Sequence, residues 1–224
     1  MNRIAQLAAA IFISMSTPAF AGTIYSSVVL EDGSPASMSR DAWGLGFVSD
    51  TNSIQFATPF TTPNHETVAT SLRVAARLEF GTNAFAVSLF SDDLGKPNEL
   101  LTEVFILDSL RSDRIGHINK YWLDITLSTE IHLNSSTQYW ISLSSLPGSD
   151  TFFKWFMPNT DISVVHQYRN TTIPNGDWKS SQSYYPPAFE IIGEAIIIPE
   201  PASICIFLLG LGFLATRQKF VAQA

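Results

Sequence analysis

Ser71-Leu72-Arg73-Val74-Ala75-Ala76-Arg77-Leu78-Glu79-Phe80 alternates between two kinds of side chain. Leu72, Val74, Ala76, Leu78 and Phe80 fall on one side of an extended chain, and Ser71, Arg73, Ala75, Arg77 and Glu79 on the other. Successive strand residues point to opposite faces, so a period of two marks a strand with one face buried and one wet. That pattern belongs to antiparallel sheets. Gly81-Thr82-Asn83 then reads as a turn, and Phe85, Val87 and Leu89 resume the alternation against Ala84, Ala86 and Ser88. The two halves predict a hairpin with a three-residue connection.

The same signal recurs outward from this hairpin. Further candidate strands cover 23–30, 44–48, 53–57, 100–107, 121–127, 138–144, 152–157, 162–168 and 188–195, punctuated by Gly, Pro, Asn, Asp and Ser. No long pattern of period 3.6 appears, although 107–118 has room for a helical turn. Short strands at close spacing predict an all-β, antiparallel β-sandwich of jelly-roll form. There is no repeat at a solenoid period and no linker that divides the chain. Pro186-Pro187 reads as a local stop before the last strand.

Both ends differ from this middle. Arg3 precedes an apolar stretch over 7–15 that only Ser14 interrupts, and Pro18 stands before Ala19-Phe20-Ala21. A positive start, a short apolar segment and small residues at Ala19 and Ala21 predict a signal peptide over 1–21, with the mature chain starting at Gly22. The exported domain is then 22–195, long enough for a hydrophobic core without disulfides. The single cysteine, Cys205, lies outside it, which excludes a cysteine nucleophile there.

Residues 196–224 read Ile-Ile-Ile-Pro199-Glu200-Pro201, an apolar run over 202–216, and Arg217-Gln218-Lys219. Pro199 and Pro201 fix their own φ and bias the residue before each toward extended backbone, which holds Glu200 in a rigid non-helical segment. The uninterrupted apolar part, 204–215, makes about 18 Å of helix at 1.5 Å per residue. A hydrocarbon core is about 30 Å thick, so this short membrane helix is undersized as a permanent span. Arg217 and Lys219 form a basic stop that stays cytoplasmic by the positive-inside tendency.

This ordered set, a Pro-Glu-Pro triplet, a short Leu/Gly-rich helix and a basic stop, resembles the PEP-CTERM sorting tail of Gram-negative bacteria. The resemblance implies that an exosortase, a membrane protease, recognises Pro199, Glu200 and Pro201 and removes the helix. It implies export through the Sec translocon and signal peptidase, and a transient stay in the inner membrane. The delivered domain then belongs to the cell surface, the outer envelope or the extracellular matrix. A second resemblance lies in Val87-Ser-Leu-Phe-Ser-Asp-Asp-Leu-Gly-Lys-Pro97 followed by Leu100-Leu101, and in Leu133-Asn-Ser-Ser-Thr-Gln-Tyr-Trp-Ile-Ser-Leu143. Over roughly 67–145 the chain is similar to bacterial surface domains of the choice-of-anchor type. Those are β-sandwich modules ahead of interchangeable sorting tails, and they bring no activity to carry over.

Without Arg3, Arg217, Lys219 and Glu200 the exported part keeps ten basic and 19 acidic residues, a charge of about −9. It has no basic cluster, which disfavours nucleic acid, since phosphate neutralisation needs a Lys/Arg surface. No H-E-x-x-H, G-x-S-x-G or Walker loop is present, and His65, His117, His132 and His166 lack metal-ligand spacing. Asp92 and Asp93 offer carboxylates to Ca²⁺, but two neighbours fall far short of six to eight oxygens and Lys96 opposes a cation. They read as a solvated turn, and neither metal nor cofactor is expected. Trp122 and Trp140 fall on the polar side of their strands and Trp178 in a loop, which makes these three the candidate sugar-stacking residues. The expected function is a non-enzymatic surface or matrix protein associated with biofilm exopolysaccharide. A carbohydrate-active enzyme on the same scaffold and a purely structural matrix component are the alternatives.

Overall fold

The computed structural model describes residues 21–28, 43–45, 54–110, 122–146, 149–157, 164–171, 176–183 and 186–196. The signal peptide, the sorting tail beyond Ile196, and most of the segment expected to hold a helical turn lie outside them. Among the described residues there is no helix. Twelve strands occur: β1 (Gly22–Ser26), β2 (Trp43–Leu45), β3 (Ile54–Thr61), β4 (Thr67–Phe80), β5 (Ala84–Asp93), β6 (Lys96–Leu107), β7 (Trp122–Leu133), β8 (Gln138–Ser145), β9 (Phe152–Trp155), β10 (Val164–Asn170), β11 (Lys179–Ser183) and β12 (Phe189–Ala195).

They form two antiparallel sheets. In the first, β4 pairs along one edge with β7 and along the other with β12, which β1 flanks. Beyond Ala75 the place of β12 is taken by β9, because Ala75 donates to Ala188 O and accepts from Phe156 N on the same edge. The second sheet runs β11-β10-β3-β8-β5-β6. Eight of the strands pair in a nested way: β1 with β12, β3 with β8, β4 with β7, and β5 with β6.

One hydrophobic core lies between the sheets. Leu72, Val74, Ala76, Phe153, Trp155, Phe189 and Ile191 from the first meet Phe56, Phe60, Phe85, Val87, Leu89, Ile141 and Leu143 from the second. Phe60 sits 5.9 Å from the Phe189 ring, and Phe85 sits 5.5 Å from Phe153. Such aromatic pairs add to the burial of apolar area that drives the layers together. The inward set expected for 71–80 is therefore the core set, except at Phe80, which is 54% exposed at the strand end and stacked on Phe152. The outward face of the first sheet carries a charge ladder: Arg73 lies 3.0 Å from Asp124 and 3.4 Å from Glu190, while Glu79 pairs with Arg77 and Lys154.

The hairpin expected from 71–80 and 84–89 does not form: both edges of β4 are taken by β7 and by β12 and β9, so 81–83 carries the chain from the first sheet to β5 in the second. Several strands also run longer than the alternation shows or were not expected, among them β11, β4 and β3. β11 was not expected, because Lys-Ser-Ser-Gln-Ser has no apolar residue to alternate; it is an edge strand held by backbone pairing with β10. β4 begins at Thr67, four residues earlier than the alternation shows, since a bulge between Ala69 and Ser71 shifts the phase. β3 continues through Pro59 to Thr61. Its pairing with β10 stops at Ala57, which leaves beside Pro59 an edge where a missing N–H costs nothing.

The β5–β6 turn is a two-residue connection in which Leu94 (φ 53) and Gly95 (φ 80) are both left-handed. That geometry favours Asn-Gly, and a leucine there is strained while its side chain, 95% exposed, gains no burial. Leu94→Asn is expected to stabilise the domain by about 1 kcal/mol. A thermal melt should show Tm rising by about 2–4 °C.

Candidate functional site

The three tryptophans do not form one platform. Trp122 lies on the outer face of the first sheet, packed beside Ala75 and Phe156, with the Arg73 guanidinium 5.1 Å from its ring centroid. Trp140 and Trp178 belong to the outer face of the second sheet, on the far side of the core. Trp140 is only 1% exposed and cannot stack a ligand, which corrects that part of the sequence reading. It is packed among Ala57, Phe90 and Trp178, and the β5–β6 hairpin is pinned beside it. Register slips at Phe90 bend β5 over this face, and Asp92 Oδ1 accepts 2.7 Å bonds from Trp140 Nε1 and Gln138 Nε2. Asp92 Oδ2 accepts from Gly95 N, and Gln167 Nε2 donates to Gly95 O at 3.2 Å. Asp92 is thus the pin of a roof. Asp93 is exposed, and among the described residues no group of three His, Cys, Asp or Glu is placed to hold a metal.

Beside this roof the outer face is laid out by plain register. One cross-strand row reads Glu103, Ser88, Ser142, Ala57, Gln167, Ser180, from β6 to β11. The next row reads Phe105, Ala86, Ser144, Gln55, Arg169. Small residues occupy β5 and β8, and long ones stand on either flank. The long side chains lean inward: Ser88 Oγ donates to Glu103 at 3.0 Å, Gln55 Nε2 donates to Ser142 Oγ at 2.8 Å, and Arg169 Nε donates to Gln55 Oε1 at 2.7 Å. The guanidinium of Arg169 lies 4.6 Å from the Trp178 ring centroid and 5.7 Å from that of Phe90. Burial pushes the Arg169 pKa below the ordinary arginine value, and the Glu103 charge opposes that shift. The site presents a cation, an anion, an amide and two aromatic rings within one rigid sheet. Its one hydroxyl on a carboxylate, Ser88 on Glu103, is fully buried.

Glu103, Phe105, Arg169 and Gln55 were not singled out in the sequence. Trp178 was, and it is half-buried here. Ala19, Ala21, Pro199, Glu200, Pro201, Arg217 and Lys219 are not placed in any described site; all but Ala21 lie outside the described residues. No family model, no curated protein and no solved structure matches this chain.

Proposed function

We propose that the chain is an exported, non-enzymatic display module of the PEP-CTERM type: an exosortase cuts its tail, and the freed domain stays in the cell envelope or extracellular matrix, associated with exopolysaccharide. The observation that supports this reading is where the described strands start and stop. Among the described residues the paired strands begin at Gly22 and end at Ala195, next to the two processing borders read from local motifs. Gly22 faces Gly193 in neighbouring strands. Both terminal segments therefore leave one end of the domain, and removing either leaves every described strand whole. The last backbone bond among the described residues is Ile196 N to Glu66 O at 2.8 Å, three residues before Pro199.

The nested strand pairing supports a β-sandwich of jelly-roll type, a long hairpin wrapped so that its halves fall in alternate sheets. In this reading β2 and β9–β11 are additions to that plan. The function is tested by Glu200→Ala and Pro201→Ala in the native host. Each variant should keep its apolar tail and fractionate with the inner membrane. Release of both variants at the unaltered size would overturn exosortase handling.

A further inference from the structure

We propose that the strip Phe105–Glu103–Arg169–Trp178, across the outer face of the second sheet, binds a neutral oligosaccharide. The inference rests on the preceding reading only for the source of that sugar, an extracellular polysaccharide. Each member is accessible: Phe105 is 61% exposed, Glu103 is exposed, and Arg169 and Trp178 are half-buried. Between them the floor is sealed. Ser88 and Ser142 are fully buried, and their hydroxyls are spent on Glu103 and Gln55. The floor thus sets the orientation of the polar heads above it, and it does not itself meet the ligand.

The chemistry of those heads selects the ligand class. Arg169 only donates and Glu103 only accepts, while the buried Gln55 holds Arg169 in place. Together they carry no net charge. A sugar hydroxyl donates and accepts at once, so a neutral polyol can satisfy both groups. An anionic sugar would gain Arg169 but face Glu103 and a domain charge of about −9. The rings of Phe105 and Trp178 stand at the two ends of the strip. Phe105 is on β6 and Arg169, which covers Trp178, is on β10. Those strands are four spacings apart, roughly 19 Å at 4.8 Å each. That span suits a chain of several sugars and is too long for one.

The test uses the full-length chain in detergent micelles. Its binding is measured by calorimetry to hexasaccharides of β-1,4-glucose, β-1,3-glucose and β-1,4-mannose, with a hexagalacturonate as the charged comparison. At least one neutral hexasaccharide should bind, and more tightly than the hexagalacturonate. Glu103→Gln and Phe105→Ala should each weaken that binding at least tenfold without moving Tm. Phe80→Ala, an exposed aromatic on the other sheet, should leave it unchanged. Binding that both site variants retain would overturn the site, as would preference for the acidic sugar or no neutral binding at all. So would a dimer in solution that Phe105→Ala abolishes, since the face would then be a contact between copies. None of these outcomes bears on whether the termini are processed, so the two proposals fail separately.

Discussion

Gly193→Ala is expected to lower stability by several kcal/mol, on the order of 3–5. Gly193 lies in β12, between β1 and β4, where the pairing with β4 slips between Ile192 and Gly193. A Cβ there would stand 1.9 Å from Val68 O and 2.7 Å from Ile24 Cδ1. The carbonyl cannot retreat, because Val68 is paired with His132 of β7 on the far side. Tm should fall by about 10 °C or more, at roughly 2–4 °C per kcal/mol for a domain of this size. Gly95→Ala provides the contrast. Its φ is +80 but nothing lies within 4 Å, so only the backbone cost of about 1 kcal/mol applies. Equal melting of Gly193→Ala and the unaltered protein would mean that β12 is not clamped between its neighbours.

Trp155→Ala is the second large effect. Trp155 is fully buried at the end of β9, its ring centroid 6.2 Å from that of Phe189, and its Nε1 donates to Ala188 O at 2.9 Å. It therefore ties β9 to the start of β12, where the two strands share one edge of β4. Removing the ring leaves a cavity and takes away one of the two donors to Ala188 O, which keeps its bond from Ala75 N, at a cost of about 3–5 kcal/mol. Trp155→Phe keeps most of the volume and loses the bond, costing about 1–3 kcal/mol. Urea unfolding should order the midpoints as unaltered, Phe, Ala. If both variants unfold at the same urea concentration as the unaltered protein, Trp155 does not join these strands.

The alternation at 71–80 and 84–89 identified the buried face because each strand has a single core side, and a period of two is local. The break at 81–83 was readable, but not that it crosses between sheets and makes no hairpin, because that depends on which distant strands take the edges of β4. The turn read around Asp92 and Asp93 narrows to 94–95 once β5 and β6 pair. What escaped depended on partners far away in the chain. β11 is defined only by β10, and the start of β4 is masked by its bulge. Trp140 was assigned to the correct face beside Ser142 and Ser144, yet it is buried by Ala57, Phe90 and Trp178 and bonded to Asp92, all distant in the chain. The strip from Phe105 to Trp178 draws on β6, β10 and the loop before β11. Only the register of the whole sheet brings those residues together, and no spacing within the sequence announces it.

The proposed processing borders are the opposite case, since short motifs carry them and they flank the outermost described strands. Intact mass spectrometry of the protein recovered from its native host tests that account most directly. The mass should correspond to a chain that begins at Gly22 and stops short of Ala202. A product that keeps the signal peptide, or that carries the apolar residues after Ala202, would contradict it.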